Sequence, residues 1–137
     1  MFVLRAIAVL TFLLTSVGAH AQSVAAPVDK FYDALREADG AAIDAVLADD
    51  AVIRLADLGF DMTADEFVES MDMWSELTPT LTMRVKEGDG SSGETVVRIV
   101  CYDFGSNQSL TRETSTVVDG LITANMQEEI AESCEGF

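Results

Sequence analysis

Histidine is almost absent from this chain. The only histidine among the 137 residues is His20, which lies in an N-terminal segment that we expect to be removed from the mature protein. Zinc sites with histidine ligands, serine–histidine and cysteine–histidine nucleophile pairs, and histidine general bases all require this side chain. We therefore expect any activity of the mature domain to use none of these chemistries.

Basic residues are also scarce. Eight Lys and Arg stand against 24 Asp and Glu, which gives a formal net charge of −16, and no basic stripe offsets it. Such a surface repels nucleic acid and anionic membranes, so we expect neither as a partner. The acidic pairs Asp49-Asp50 and Glu128-Glu129 lack the spacing of metal ligands. The sequence therefore predicts no metal and no cofactor, and the charge itself is typical of a soluble protein in an exposed compartment.

Only two cysteines are present, Cys101 and Cys134. An even number of cysteines in an oxidising compartment favours a disulfide between them. Two free thiols, one of them buried, are the alternative.

The N-terminus has the order of a secretory signal. Arg5 precedes an apolar run from Ala6 to Leu14, and Ala19-His20-Ala21 forms a small-x-small cleavage site. The apolar run is shorter than the roughly 20 residues that span a bilayer. We therefore predict a signal peptide over residues 1–21 and a single periplasmic or secreted domain over residues 22–137; a retained membrane anchor is the alternative.

The pattern along the chain predicts an α+β domain, with helices first and a meander of strands after them. A capping box at Thr63-Ala-Asp-Glu66 marks one helix start, and Asp119-Gly120 is a favoured two-residue hairpin turn. The predicted helices cover residues 27–38, 41–47 and 63–77, and the predicted strands cover residues 51–55, 58–62, 80–86, 94–104, 110–118 and 121–130.

The hairpin predicts which side chains face the core. An unbroken register from the Val118–Leu121 pair places Glu113 inward, opposite Met126, and places Asn125 in solvent. On the preceding strand, an outward Arg98 puts Ile99 and Cys101 inside, with Cys101 beside Glu113. Cys134 shares the inward parity of Met126, so a disulfide requires the tail to curl back.

Three segments resemble SnoaL-like members of the nuclear transport factor 2-like superfamily. They are Phe31-Tyr-Asp-Ala-Leu-Arg-Glu-Ala-Asp-Gly40, Ala48-Asp-Asp-Ala-Val-Ile53 and Thr116-Val-Val-Asp-Gly-Leu-Ile122. The resemblance covers nearly the whole mature chain. It implies N-terminal helices packed on a curved, mostly antiparallel sheet that forms a cone with an internal pocket.

The resemblance also implies a candidate site. Tyr32 matches the oxyanion-stabilising tyrosine of ketosteroid isomerase-like members, and Glu113 lies near their second, acidic hydrogen-bond donor. Leu55 stands where their catalytic aspartate would be, so Asp57 is the nearest candidate base. A protonated Glu113 beside Tyr32 would stabilise a developing oxyanion. In the alternative interpretation, Glu113 is a structural carboxyl bonded to a core hydroxyl or an arginine, Tyr32 packs its ring, and Asp57 is a solvated turn residue.

Eight apolar residues are candidates to line the pocket, although each is equally an ordinary core residue. They are Phe31, Phe60, Phe67, Met71, Trp74, Met83, Ile99 and Met126.

The leading functional hypothesis is a domain that binds a small apolar ligand or a protein partner in the pocket or on the sheet face, without demonstrated chemistry. An acid–base isomerase or dehydratase-like lyase using Tyr32, Glu113 and Asp57 is the alternative. A homodimer through the open sheet face is a third hypothesis.

Overall fold

The computed structural model describes residues 23–137, and the predicted signal peptide lies outside these residues. Helices α1 (Ala26–Glu37) and α2 (Gly40–Asp44) are followed by strand β1 (Leu47–Leu55), a 3-10 turn (Ala56–Leu58) and strand β2 (Phe60–Thr63). Helices α3 (Ala64–Glu69) and α4 (Met71–Trp74) and a second 3-10 turn (Thr78–Thr80) follow. Four strands complete the fold: β3 (Thr82–Glu87), β4 (Thr95–Asp103), β5 (Gln108–Val118) and β6 (Leu121–Ala131).

Local sequence signals account for the helix boundaries. Pro27 occupies the first turn of α1, where its missing N–H costs no hydrogen bond. The side chain of Asp39 accepts a hydrogen bond from Ala42 N and so begins α2. Thr63 and Glu66 form both hydrogen bonds of the capping box at the start of α3. No helix among residues 23–137 is long and apolar enough to cross a membrane.

The six strands form one curved sheet in the order β2-β1-β6-β5-β4-β3. Strands β1 and β6 pair in parallel, and the other four pairings are antiparallel. The helices pack on one face of this sheet, where the stacked rings of Phe31 and Phe67 join α1 to α3 at a centroid distance of 5.6 Å. The predicted α+β class, with helices on a mostly antiparallel sheet, is confirmed.

A bulge in β6 corrects part of the face assignment. Val117 pairs with Ile122 but Thr116 pairs with Ala124, so Thr123 is an extra residue in β6. Beyond a one-residue bulge the alternation of side chains reverses. Asn125, expected in solvent, is therefore buried, and Met126, expected in the pocket, is 39% exposed on the outer face.

Strand β4 is also oriented opposite to the expectation. Arg98 is only 7% exposed and faces the helices, where it forms an ion pair with Asp29 of α1 at 3.1 Å. The expectation that Arg98 faces solvent because it is charged was therefore wrong. Ile99 consequently lies on the other face and does not line a pocket with the helices, and Cys101 pairs with Leu110 rather than lying beside Glu113.

The predicted disulfide between Cys101 and Cys134 is confirmed. It lies on the face of the sheet away from the helices, because Cys101 alternates with Tyr102 and Val100, which point into the core. The C-terminal segment lies against the same face, where the ring of Phe137 is 4.7 Å from the Arg84 guanidinium and 4.6 Å from the Lys86 ammonium. The tail therefore covers the β3–β4 end of the outer face.

Candidate functional site

An apolar cavity of about 490 Å³ lies between the sheet and the helices α3 and α4. Its walls are formed mainly by aliphatic, methionine and aromatic side chains, and its mouth carries the exposed side chains Leu58, Phe60 and Met73. The apolar lining residues are Leu35, Leu55, Leu58, Phe60, Met62, Phe67, Met71, Met73, Trp74 and Phe104. A cavity of this size and character is typical of a site for a small organic ligand.

Trp74 organises the wall of this cavity. Its ring makes edge-on contacts with Tyr102 and Phe104, at centroid distances of 6.1 and 6.2 Å. Its indole Nε1 donates a hydrogen bond to the Leu35 carbonyl at 2.8 Å, which ties α4 to α1. The tryptophan is therefore held in one orientation by packing and by a hydrogen bond.

A buried carboxyl, Glu113, lies behind the polar end of the cavity. Its Oε1 accepts hydrogen bonds from the hydroxyls of Tyr102 and Thr111 at 2.6 and 2.9 Å, and its Oε2 accepts one from Tyr32 at 2.8 Å. Tyr102 and Thr111 line the cavity, whereas Glu113 itself is fully buried. Three hydroxyls from α1, β4 and β5 thus converge on one carboxyl; we refer to Tyr32, Tyr102, Thr111 and Glu113 as the Glu113 cluster.

Burial is the main influence on protonation in the Glu113 cluster. Desolvation raises the pKa of Glu113, because the charged form loses water, and the hydrogen bonds from Tyr102, Tyr32 and Thr111 act in the opposite direction. Burial and then the nearby Glu113 charge raise the pKa of both tyrosines far above the ordinary value. Both tyrosines therefore remain neutral hydrogen-bond donors.

No cation neutralises Glu113 by a direct ion pair among residues 23–137. Arg98 lies opposite Glu113 on β4, but its guanidinium pairs with Asp29 and donates to the Val97 carbonyl. Neutral hydroxyl donors therefore satisfy this carboxyl, and every fully buried side-chain polar atom in the described residues has a hydrogen-bond partner.

Solved structures with similar folds are numerous. A candidate ketosteroid isomerase from Kribbella flavida DSM 17836 matches with a TM-score of 0.65 at 16% identity, covering 80% of this chain and 79% of that chain. An NTF-2 like protein of unknown function from Burkholderia xenovorans LB400 matches with a TM-score of 0.64 at 13% identity, covering 77% and 81%. This chain has the nuclear transport factor 2-like fold.

A candidate polyketide cyclase from Streptomyces antibioticus, IdmH, shares this nuclear transport factor 2-like fold with a TM-score of 0.65 and 16% identity, covering 79% of this chain and 92% of that chain. Neither any family model nor any curated protein matches the chain. The similarity is therefore one of fold, and the proteins that share it include candidate enzymes of different reaction classes.

The structure brings two of the three candidate catalytic residues together. Tyr32 and Glu113 share a hydrogen bond, but Asp57 is separated from them. Asp57 lies in the 3-10 turn after β1, where it is exposed and its Oδ2 accepts a hydrogen bond from Glu129 N in β6. Its neighbours Leu55 and Leu58 line the cavity, whereas Asp57 does not.

The candidate pocket residues divide into three groups. Phe60, Phe67, Met71 and Trp74 line the cavity. Phe31 and Met83 are buried in the core without lining it. Met126 and Ile99 lie on the opposite face of the sheet. The bulge in β6 turns Met126 outward, and Ile99 faces away from the helices because Arg98 faces them.

Sequence reasoning missed Tyr102 and Thr111. Both follow the alternation of their strands: Tyr102 shares the inward face of β4 with Val100, and Thr111 shares the inward face of β5 with Glu113. The inward position of Glu113 was sufficient to predict that Thr111, two residues earlier on the same strand, also faces inward. Tyr102 was hidden by the reversed orientation assigned to β4.

Proposed function

We propose that this chain binds a small, neutral, apolar ligand in the cavity beside Trp74. The observation that carries the proposal is the cavity of about 490 Å³ with mainly apolar walls and only a few polar groups. Binding sites for small organic molecules have this composition, since apolar contact supplies affinity and a few polar groups supply orientation. An aromatic or alicyclic ring system suits the walls.

The cavity mouth supports access for such a ligand. Leu58 and Met73 at the mouth are 71% and 68% exposed, and Phe60 is 46% exposed. Large apolar side chains at the rim of a concave apolar surface are a mark of a binding site. The net charge of −16 favours a neutral or cationic ligand over an anion.

A fluorescence titration with N-phenyl-1-naphthylamine, a neutral probe that brightens in apolar surroundings, tests this proposal. Trp74 is the only tryptophan, so energy transfer from tryptophan to the probe reports binding near the cavity wall. We expect Phe60→Asp to weaken binding about tenfold or more, because apolar burial of an aromatic side chain is worth about 1.5–3 kcal/mol.

Ile130→Asp is the matched control for this titration. Ile130 is 49% exposed, close to the 46% of Phe60, but it does not line the cavity. We expect the control to leave the affinity for the probe unchanged. Two results would refute the proposed site. One is an equal loss of probe affinity in both variants, and the other is the absence of energy transfer from Trp74 to the probe in wild-type protein.

An acid–base isomerase or dehydratase-like activity is the weaker candidate. Tyr32 and Glu113 supply a donor and a carboxyl of raised pKa, as such chemistry requires. The base is the difficulty, since Asp57 contacts the backbone of β6 and is not among the residues that line the cavity. Binding without demonstrated chemistry therefore remains the preferred function.

We also propose that the domain acts outside the cytoplasm. The Cys101–Cys134 disulfide supports this location, because structural disulfides persist in oxidising compartments. Export through a signal peptide over residues 1–21 is part of the same proposal. It would place the cavity in contact with molecules of the periplasm or the extracellular medium.

A further inference from the structure

The polar side chains around the cavity have few hydrogen-bond donors left for a ligand. Among residues 23–137, six polar side chains line it: Ser70, Trp74, Tyr102, Ser109, Thr111 and Gln127. All except Gln127 carry a single donor hydrogen. At the wall, Trp74 Nε1 donates to the Leu35 carbonyl and Ser70 Oγ donates to the Phe67 carbonyl at 2.6 Å. These two donors are therefore occupied by the helices themselves.

The donors at the polar end are occupied by carboxyl groups. Tyr102 and Thr111 donate to Glu113 Oε1, and Ser109 Oγ donates to a carboxylate oxygen of Glu129 at 2.6 Å. A hydroxyl that donates in one direction keeps oxygen lone pairs that accept in another. The two hydroxyls bonded to Glu113 therefore have no free hydrogen for a ligand, whereas their oxygens keep lone pairs that can accept a hydrogen bond.

Protonation of Glu113 leaves this arrangement at the cavity intact. Tyr32 donates to Oε2, on the side of the carboxyl that faces α1. When the proton is on Oε2, that oxygen becomes the donor to the Tyr32 oxygen, and the Tyr32 hydrogen turns away from the carboxyl. Oε1 then remains an acceptor for both Tyr102 and Thr111. The hydroxyls that line the cavity keep their direction in either state of the carboxyl.

Gln127 adds a further acceptor. Its Nε2 donates to Asn125 Oδ1 at 3.1 Å, and its Oε1 receives no hydrogen bond from residues 23–137. One amide hydrogen of Gln127 is the single donor that the lining side chains do not already use. Acceptor sites therefore outnumber free donors around the cavity.

We propose that the cavity selects apolar ligands that carry a hydrogen-bond donor, such as an alcohol or a phenol, over ligands of the same skeleton that carry only acceptors. The ligand O–H donates to the Tyr102 or Thr111 oxygen, or to Gln127 Oε1. An ether or ketone oxygen beside Tyr102 or Thr111 loses its bond to water and meets no free hydroxyl hydrogen, which is costly. This inference rests on the proposed function, because it concerns the ligand of the same cavity.

Displacement of bound N-phenyl-1-naphthylamine by three matched compounds tests the inference. The compounds are 2-naphthol, with a donor; 2-methoxynaphthalene, with an acceptor only; and naphthalene, with neither. We expect 2-naphthol to bind about 2- to 10-fold more tightly than 2-methoxynaphthalene, the range expected from one net hydrogen bond. Naphthalene measures the affinity that comes from apolar contact alone.

Substitutions that remove single hydroxyls test whether the preference arises in the cavity. Thr111→Val removes an acceptor that lines the cavity, whereas Thr114→Val is a control on the same strand at a half-buried position that does not line it. We expect Thr111→Val and Tyr102→Phe to reduce the 2-naphthol preference and Thr114→Val to preserve it. If a variant does not fold, the affinities of wild-type protein for the three compounds still test whether the cavity prefers the ligand with a donor.

The outcomes separate the inference from the proposed function. Equal affinity for 2-naphthol and 2-methoxynaphthalene, or tighter binding of the ether, with probe binding intact, overturns the donor selection and leaves the binding site standing. Failure of the probe and of all three compounds to bind overturns the proposed function and the donor selection with it.

Discussion

At the scale of single residues, Glu113 is a fully buried carboxyl that accepts hydrogen bonds from three hydroxyls. A carboxyl at an inward position of β5 was expected from the hairpin register alone, because only residues after the bulge in β6 change face. Its hydroxyl partners could not all be predicted. Tyr102 depended on the orientation of β4, in which Arg98 faces inward and pairs with Asp29, 69 positions away in the chain. Long-range pairing of this kind leaves no local signal.

The protonation of Glu113 predicts a pH dependence of stability. The folded state holds the proton more tightly than the unfolded state, because the pKa of Glu113 is raised from 4.5. The contribution of Glu113 to the free energy of unfolding therefore falls as the pH rises from about 4.5 through the folded-state pKa. We expect Glu113→Gln to gain stability relative to wild-type protein across this range, as measured by urea unfolding at each pH.

Glu132→Gln is the control for this series, since Glu132 is an exposed carboxyl just after β6. We expect its stability difference from wild-type protein to vary much less with pH. If the difference between Glu113→Gln and wild-type protein is independent of pH, burial does not perturb the Glu113 carboxyl as described.

At the scale of elements, the order of helices and strands was predictable and the pairing details were not. The capping box at Thr63 and the turn at Asp119-Gly120 gave reliable boundaries, because both are formed by neighbouring residues. The helix expected over residues 63–77 is instead divided at Ser70 into two short helices. The extra residue Thr123 in β6 likewise reverses the faces of Asn125 and Met126, and no turn residue marks the bulge.

The disulfide joins two elements and carries a prediction about stability. Cys101 in β4 and Cys134 in the tail are 33 positions apart. Closing a loop of this length restricts the unfolded chain by roughly 3–4 kcal/mol in the chain-entropy model. We expect the Cys101→Ala and Cys134→Ala double variant to lose about this much free energy of unfolding in urea.

Reduction provides the internal control for this prediction. Dithiothreitol is expected to destabilise wild-type protein by a similar amount and to leave the double variant unchanged. Earlier proteolysis in the tail beyond Ala131 should accompany the loss, because the tail is no longer tied to β4. A double variant as stable as the oxidised wild-type protein would contradict the structural role of the bond.

At the scale of the whole molecule, the resemblance to nuclear transport factor 2-like proteins predicted the architecture. The cavity is the part of this architecture that can bind a ligand. Short helices at one end of the sheet leave space between Trp74 and the strands, and the Glu113 cluster closes the polar end of that space. Relatives in fold include a candidate isomerase and a candidate cyclase, so fold alone does not choose a reaction. The proposed ligand chemistry comes instead from the side chains that line this cavity.

The most direct test of this account is a crystal structure of the protein with 6-bromo-2-naphthol, with the bromine located by its anomalous signal. We predict one bromine site among the apolar walls near Phe67 and Trp74, with the naphthol oxygen within hydrogen-bond distance of Tyr102, Thr111 or Gln127. Bromine on the outer face of the sheet, or an empty cavity at saturating concentrations of the compound, would contradict the central claim that this cavity is the ligand site.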